Sequence, residues 1–217
     1  MVLTGVREQA GVDVAVISGR EEAYYDYLGL MACKELKNAV GCDVGGGSGQ
    51  VFTVLDGSFK DSISLPIGCL RMYNAFVKGL IPQGSEMQAL YDNVRKMLKE
   101  YKFIKQSDSD TLFVMGGTAR AMAKLHRSMT GVKQEIGGYR MNTEDINTMI
   151  DTVKSMNMEG VKLLNKVLPE RSHTIIPGML VLGAIAKTAR TRRIEVVKNG
   201  VREGFVVNII MKRRKRP

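Results

Sequence analysis

Short apolar runs rich in β-branched residues alternate along the chain with longer stretches whose apolar positions recur every three or four residues. The two patterns predict strands alternating with helices. Residues 12–17 read as a buried strand closed by Ser18 and Gly19, and residues 1–10 before them have helix-forming character. A helix is predicted over residues 21–32, with Tyr24, Tyr27, Leu28 and Met31 on its apolar face. Residues 40–55 read as strand, tight turn, strand, because β-branched runs flank Gly45, Gly46 and Gly47. A third strand over residues 60–65 stops at Pro66, and a short helix covers residues 69–76. The stretch 83–101 is a longer amphipathic helix, with Met87, Leu90, Tyr91, Val94, Met97 and Leu98 as core positions. Residues 111–115 form another strand, which runs through Gly116-Gly117-Thr118 into a helix ending near Arg127. Thr143 opens the next helix, an apolar helix follows Pro177, and residues 194–197 are a strand. Asn199-Gly200 then turns into a final helix carrying Arg202 and Glu203. This order predicts an α/β protein with a mixed sheet flanked by helices.

The glycine turn carries the first candidate chemistry. Asp43 ends the strand before it, Gly45, Gly46 and Gly47 permit a close backbone approach, and Ser48 adds a hydroxyl, so the turn has the makings of an anion-binding nest. A carboxylate beside a bound phosphate calls for an intervening cation, and Asp43 is therefore the candidate Mg²⁺ ligand. A glycine-rich hairpin with a solvated aspartate is the equal alternative. The stretch is neither a Walker A loop nor a dinucleotide-binding fingerprint, since both spacings differ. Gly116, Gly117 and Thr118 make a second strand-to-helix turn of the same size, and two such turns suit a polyanion gripped from two directions. Arg71 falls near a helix start, where the dipole disfavours a cation, which suggests a ligand or an exposed ion pair. Glu21 and Glu22 sit in a first helical turn, where negative charge is favoured, so helix stabilisation is their ordinary reading.

Charge and composition narrow the class. The 217 residues carry a formal charge of +10, which points to an anionic partner without choosing one. Part of the excess lies in the basic run 212–216, read as a solvated, disordered end. Cys33, Cys42 and Cys69 have no paired spacing, which favours a reducing compartment and structural thiols, and no apolar run has the length of a membrane span or signal peptide. A cytoplasmic location is expected. His126 and His173 lack metal-ligand spacing, and no Ser/His/Asp arrangement is present.

Five stretches in order resemble the signatures of the exopolyphosphatase and guanosine pentaphosphate phosphatase family. They are Ser18-Gly19-Arg20-Glu21-Glu22-Ala23, Asp43-Val44-Gly45-Gly46-Gly47-Ser48, Ser64-Leu65-Pro66-Ile67-Gly68-Cys69-Leu70-Arg71, Gly117-Thr118-Ala119 and Gly200-Val201-Arg202-Glu203-Gly204. The resemblance implies an actin-like, ribonuclease H-like architecture of two lobes with phosphates held between them. It gives Glu22 the role of general base toward the attacking water, Asp43 that of Mg²⁺ ligand, and Gly45, Gly46, Gly47, Ser48, Arg71, Gly117 and Thr118 that of phosphate binding. Arg202 and Glu203 match the family's last motif, with capping and packing an equal reading. Gln50 stands where the family usually has an acidic residue, which removes a metal-binding charge.

The family's first lobe begins with a loop of the form Asp-x-Gly-Ser-Asn-Ser that has no counterpart in this sequence. The expected division is therefore residues 1–38 as the remnant of the first lobe with its connecting helix, 39–211 as the second lobe, and 212–217 as the basic tail. Expected ligands are polyphosphate, guanosine pentaphosphate or guanosine tetraphosphate. The activity implied is release of terminal phosphate by hydrolysis; a module that binds without turnover is the alternative, since the first loop is absent. A nucleic-acid-binding domain, supported only by the basic tail, ranks last. No membrane partner is expected, and the uncovered interlobe face suggests a homodimer.

Overall fold

The computed structural model describes residues 8–12 and 14–214. Six strands form one mixed sheet in the order β3-β2-β1-β4-β6-β5. β1 (Ala39–Val44), β2 (Gly49–Leu55) and β3 (Ser58–Leu65) make an antiparallel meander, and β4 (Thr111–Met115) and β6 (Arg193–Val196) continue it in parallel beside β1. β5 (Arg140–Asn142) closes the far edge antiparallel to β6. An antiparallel meander extended by parallel crossovers is the actin-like, ribonuclease H-like lobe expected from the sequence.

Alternation along the strands divides the core in two. Val40, Cys42, Val44, Val51, Leu112 and Val114 face a layer of helices: α3 (Gly84–Lys99), α4 (Gly116–Thr130), α5 (Asp145–Ser155) and α7 (Ile175–Ala189). Thirteen of the fifteen residues of α7 are buried, which explains its nearly all-apolar sequence. Phe52, Val54, Phe113 and Met115 face the other way, toward α1 (Gly19–Met31). Phe52 is wholly buried and lies over Gly41, where an added Cβ would overlap its ring. Full burial of such a side chain contributes about 2–3 kcal/mol.

α1 is itself clamped between the sheet and α8 (Val201–Arg214). A Cβ on Gly29 would stand 2.7 Å from the Gly200 carbonyl oxygen, and one on Gly204 would overlap the Tyr25 carbonyl, so glycine is what lets these helices cross so closely. Double coverage explains why α1 buries Ala23, Tyr25, Asp26, Leu28, Gly29 and Leu30 where a single apolar face was expected.

Three local expectations change. Residues 12 and 14–17 form no strand: Val12, Val14, Val16 and Ile17 are exposed and pair with no strand among the described residues. Their β-branched composition fits a strand, but they take no place in the six-stranded order. Lys212, Arg213 and Arg214 complete the last turn of α8 instead of forming a loose end, as suits cations at a helix C-terminus, while residues 215–217 and residues 1–7 of the helix predicted over 1–10 lie outside the described residues, and residues 8–10 are helical. β5 and α6 (Met158–Val167) were not predicted. No helix among the described residues is long and apolar enough to cross a membrane.

Candidate functional site

The site grows from the end of β1. In register, Asp43 stands opposite Gln50 on β2, and Gln50 opposite Ser64 on β3, so three polar side chains cross the sheet in one row on the face beneath α1. Between β1 and β2 runs the turn of Gly45, Gly46, Gly47 and Ser48, as the sequence predicts. It is tied to the first residues of α2 (Cys69–Phe76): the Cys69 amide donates to the Gly45 carbonyl at 2.8 Å, the Arg71 amide to Gly46 at 3.0 Å, and the Gly68 amide and Arg71 Nε both to Gly47, at 3.4 and 3.0 Å. Gly68 makes room for this, since a Cβ there would strike Gly46 and Gly47.

These bonds fix the orientation of the turn. In a trans peptide the amide N–H points opposite to the carbonyl it is joined to, and no cis bond occurs among the described residues. With the carbonyls of Gly45, Gly46 and Gly47 all turned toward α2, the N–H groups of Gly46, Gly47 and Ser48 point to the open side. None of the three has an intramolecular acceptor among the described residues. Three donors left free on one side of an exposed turn have the geometry suited to an anion-binding nest. Arg71 braces this nest through Gly47, and its guanidinium forms no ion pair among the described residues.

Gln50 connects the turn to α1. It is almost wholly buried, and its Nε2 reaches Glu22 Oε2 at 2.7 Å, Ser64 Oγ at 3.0 Å and Ser48 Oγ at 3.1 Å. Glu22 is thereby held at the edge of the nest. Ser18 caps α1 with Glu21, whose carboxylate accepts from the Ser18 amide and hydroxyl and is held below the usual carboxylate range by those bonds. Of the adjacent pair, Glu21 therefore serves the helix end, and Glu22 turns inward. Gly19 gives the helix start its clearance, since a Cβ would overlap the Ser64 side chain.

Asp43 packs against Gly116, the left-handed residue (φ 80°) that begins α4; a Cβ there would overlap its carboxylate. Burial and the nearby Glu22 push the Asp43 pKa up to about 6, against the opposing charges of Arg120 and Arg171. Arg120 lies in the early part of α4, and Arg171 reaches in from the loop before α7 to lie against Gly117, where a Cβ would run into its guanidinium. The sequence reading missed both. Only the glycine at 117 signalled a neighbour. Thr118 does not face the turn: it is buried and its hydroxyl donates to the Val44 carbonyl at 2.6 Å, so α4 offers backbone amides and no free hydroxyl here. Arg202 is exposed, while Glu203 accepts from the Gly200 amide at 2.9 Å and caps α8, the structural half of its two readings.

One group was not anticipated. Asp26, one helical turn beyond Glu22, is fully buried with no hydrogen-bond partner for either oxygen. Burial first, then Asp43 and Glu22, push its pKa up to about 9, so the carboxyl stays protonated at neutral pH; the Val201 amide opposes this least of all.

Among the described residues no group of three or more His, Cys, Asp or Glu side chains is placed to hold a metal ion. Asp43 supplies a single carboxylate, with two arginine charges acting on it and an amide at Gln50 beside it. A divalent ion there would need its remaining ligands from phosphate and water.

Comparison with known proteins places the chain. Exopolyphosphatase 1 of Mycobacterium tuberculosis is 23% identical over 214 residues, and that of Mycobacterium leprae 22% identical over 214 residues. Each alignment takes in 95% of this chain, which spans 61% and 62% of those relatives' lengths. The Ppx/GppA family member of Aquifex aeolicus superposes with a TM-score of 0.82 at 24% identity, over 99% of this chain and 70% of that one. An exopolyphosphatase of Cytophaga hutchinsonii gives 0.83 at 16% identity, over 97% and 70%. These two likenesses establish the fold. The family model for the Ppx/GppA phosphatase family matches residues 1–213, nearly the whole sequence, and the chain belongs to that family.

Proposed function

We propose that this chain is the phosphate-gripping lobe of a phosphoanhydride hydrolase that releases terminal phosphate from inorganic polyphosphate or guanosine pentaphosphate. The observation that carries the reading is the turn whose three carbonyls face α2, which leaves three amides to receive a terminal phosphoryl group beside the Glu22 carboxylate. Arg120 and Arg171 supply positive charge on the same side as Asp43, where charge on the transferring group needs neutralising. Glu22, fixed by Gln50, accepts the proton of the attacking water; the new P–O bond forms as the bridging P–O bond breaks, and the shortened chain leaves with the bridging oxygen. A divalent ion held by Asp43 together with the phosphates would add Lewis-acid stabilisation. The glycines support the same reading. Gly45, Gly46 and Gly47 lie outside the left-handed region, and a Cβ on any of them would meet no protein atom closer than 3.4 Å. Their lack of side chains serves whatever approaches from outside.

The test is phosphate release from tripolyphosphate, long-chain polyphosphate and guanosine pentaphosphate by the purified chain, with and without Mg²⁺. Release from at least one, abolished in Glu22→Gln, is expected. Equal release by the variant would remove Glu22 from the mechanism, and release from none would reject the activity for this chain.

A further inference from the structure

We propose that the long groove between α3 and α5 is a second anion-binding site, which holds the body of an extended polyphosphate chain away from its reacting end; its choice of ligand rests on the reading above. The groove encloses about 1430 Å³ and is separate from the glycine turn. It follows α3 from Gly84 to Lys99, roughly 22 Å at the helical rise per residue. Its floor is the uncovered strip of α7, including Leu180 and Gly183. That helix begins beneath the glycine turn, where Gly178 abuts Thr118 and Cys69, and runs toward the opposite pole of the sheet.

Charge decides what the groove fits. Arg95, Lys96, Lys99, Lys105, Lys187 and Arg190 line it, and none of the six has a carboxylate partner among the described residues. Asp92, Glu144 and Asp151 are the acidic lining residues, too few to cancel them. The C-terminal dipoles of α3 and α7 each offset about half a charge, which leaves the groove clearly positive. Cations spaced along a trough suit a repeating anion more than a compact one. Tyr91 is the single aromatic side chain of the lining, whereas single-stranded nucleic acid is held by successive stacking platforms. A bare phosphate chain asks only for charge.

The test uses the Glu22→Gln chain, so that hydrolysis does not consume the probe, and compares it with the same chain carrying Lys96→Glu, Lys99→Glu and Lys187→Glu. Affinity for long-chain polyphosphate should fall at least about tenfold, with the slope of log affinity against log salt smaller by about 2, as for three lost phosphate contacts on a single strand. Affinity for tripolyphosphate, which fits the glycine turn alone, should not change. Unchanged long-chain affinity would overturn the proposal, as would tighter binding of a single-stranded RNA of matched length. Thermal unfolding checks the fold, and Lys→Gln at the same three positions gives a milder series. Should the wild-type chain release no phosphate, the hydrolase reading fails by that result alone, and the affinity comparison still judges the groove.

Discussion

Asp26 is the residue whose chemistry departs furthest from its surroundings. Its carboxyl titrates near the ordinary value of about 3.9 in the unfolded chain and at about 9 in the folded one. Between those values the native state keeps a proton that the unfolded state has released, so stability falls as pH rises through the window and levels off outside it. Asp26→Asn removes that dependence. Relative to the wild type, the variant should gain up to about 4 kcal/mol between pH 5 and pH 8, from 1.36 kcal/mol per pH unit. Urea unfolding at the two pH values checks it, and parallel pH profiles would show that Asp26 is not held neutral. Gln50 makes the converse case, since the two N–H donors of its side-chain amide are shared among Glu22, Ser48 and Ser64. Gln50→Ala removes both donors from this polar cluster and should cost about 1–3 kcal/mol, read as a lowered denaturation midpoint.

At the scale of elements, glycines of two kinds can be told apart by experiment. Gly116 has a left-handed backbone and its α-hydrogen faces the Asp43 carboxylate, so Gly116→Ala should destabilise the fold by about 1–3 kcal/mol. Gly46 has neither constraint, with its nearest neighbour to an added Cβ at 3.9 Å on Leu70. Gly46→Ala should leave the unfolding midpoint within about 0.5 kcal/mol of the wild type and weaken tripolyphosphate binding by at least about tenfold, because the methyl group stands where a phosphate oxygen approaches. Equal binding by the two proteins would mean that the turn does not receive phosphate. The sequence made this turn legible, since three glycines between β-branched runs have few other uses. It did not make the contributions of Arg120 and Arg171 legible: each comes from an element remote in sequence, and a lone arginine carries no periodic or spacing signal. The three-residue β5 was equally invisible, being too short to show alternation.

At the scale of the molecule, the order of strands and helices was readable because each face of the sheet writes a distinct pattern, and the ordered motifs pointed to the actin-like fold. What failed was the strand over residues 12–17, where composition is right but the described residues join neither edge of the sheet. Asp26 failed for a related reason: a helix covered on two sides buries positions that a one-sided pattern assigns to solvent. The central claim, that Glu22 acts on a phosphoryl group bound in the glycine turn, separates binding from chemistry. Its most direct test is to measure tripolyphosphate affinity and phosphate release on the same Glu22→Gln protein. The account predicts affinity within about threefold of the wild type and release lowered by at least about a hundredfold, the usual range for losing a general base. Release at the wild-type rate, or affinity and release lost together, would contradict it.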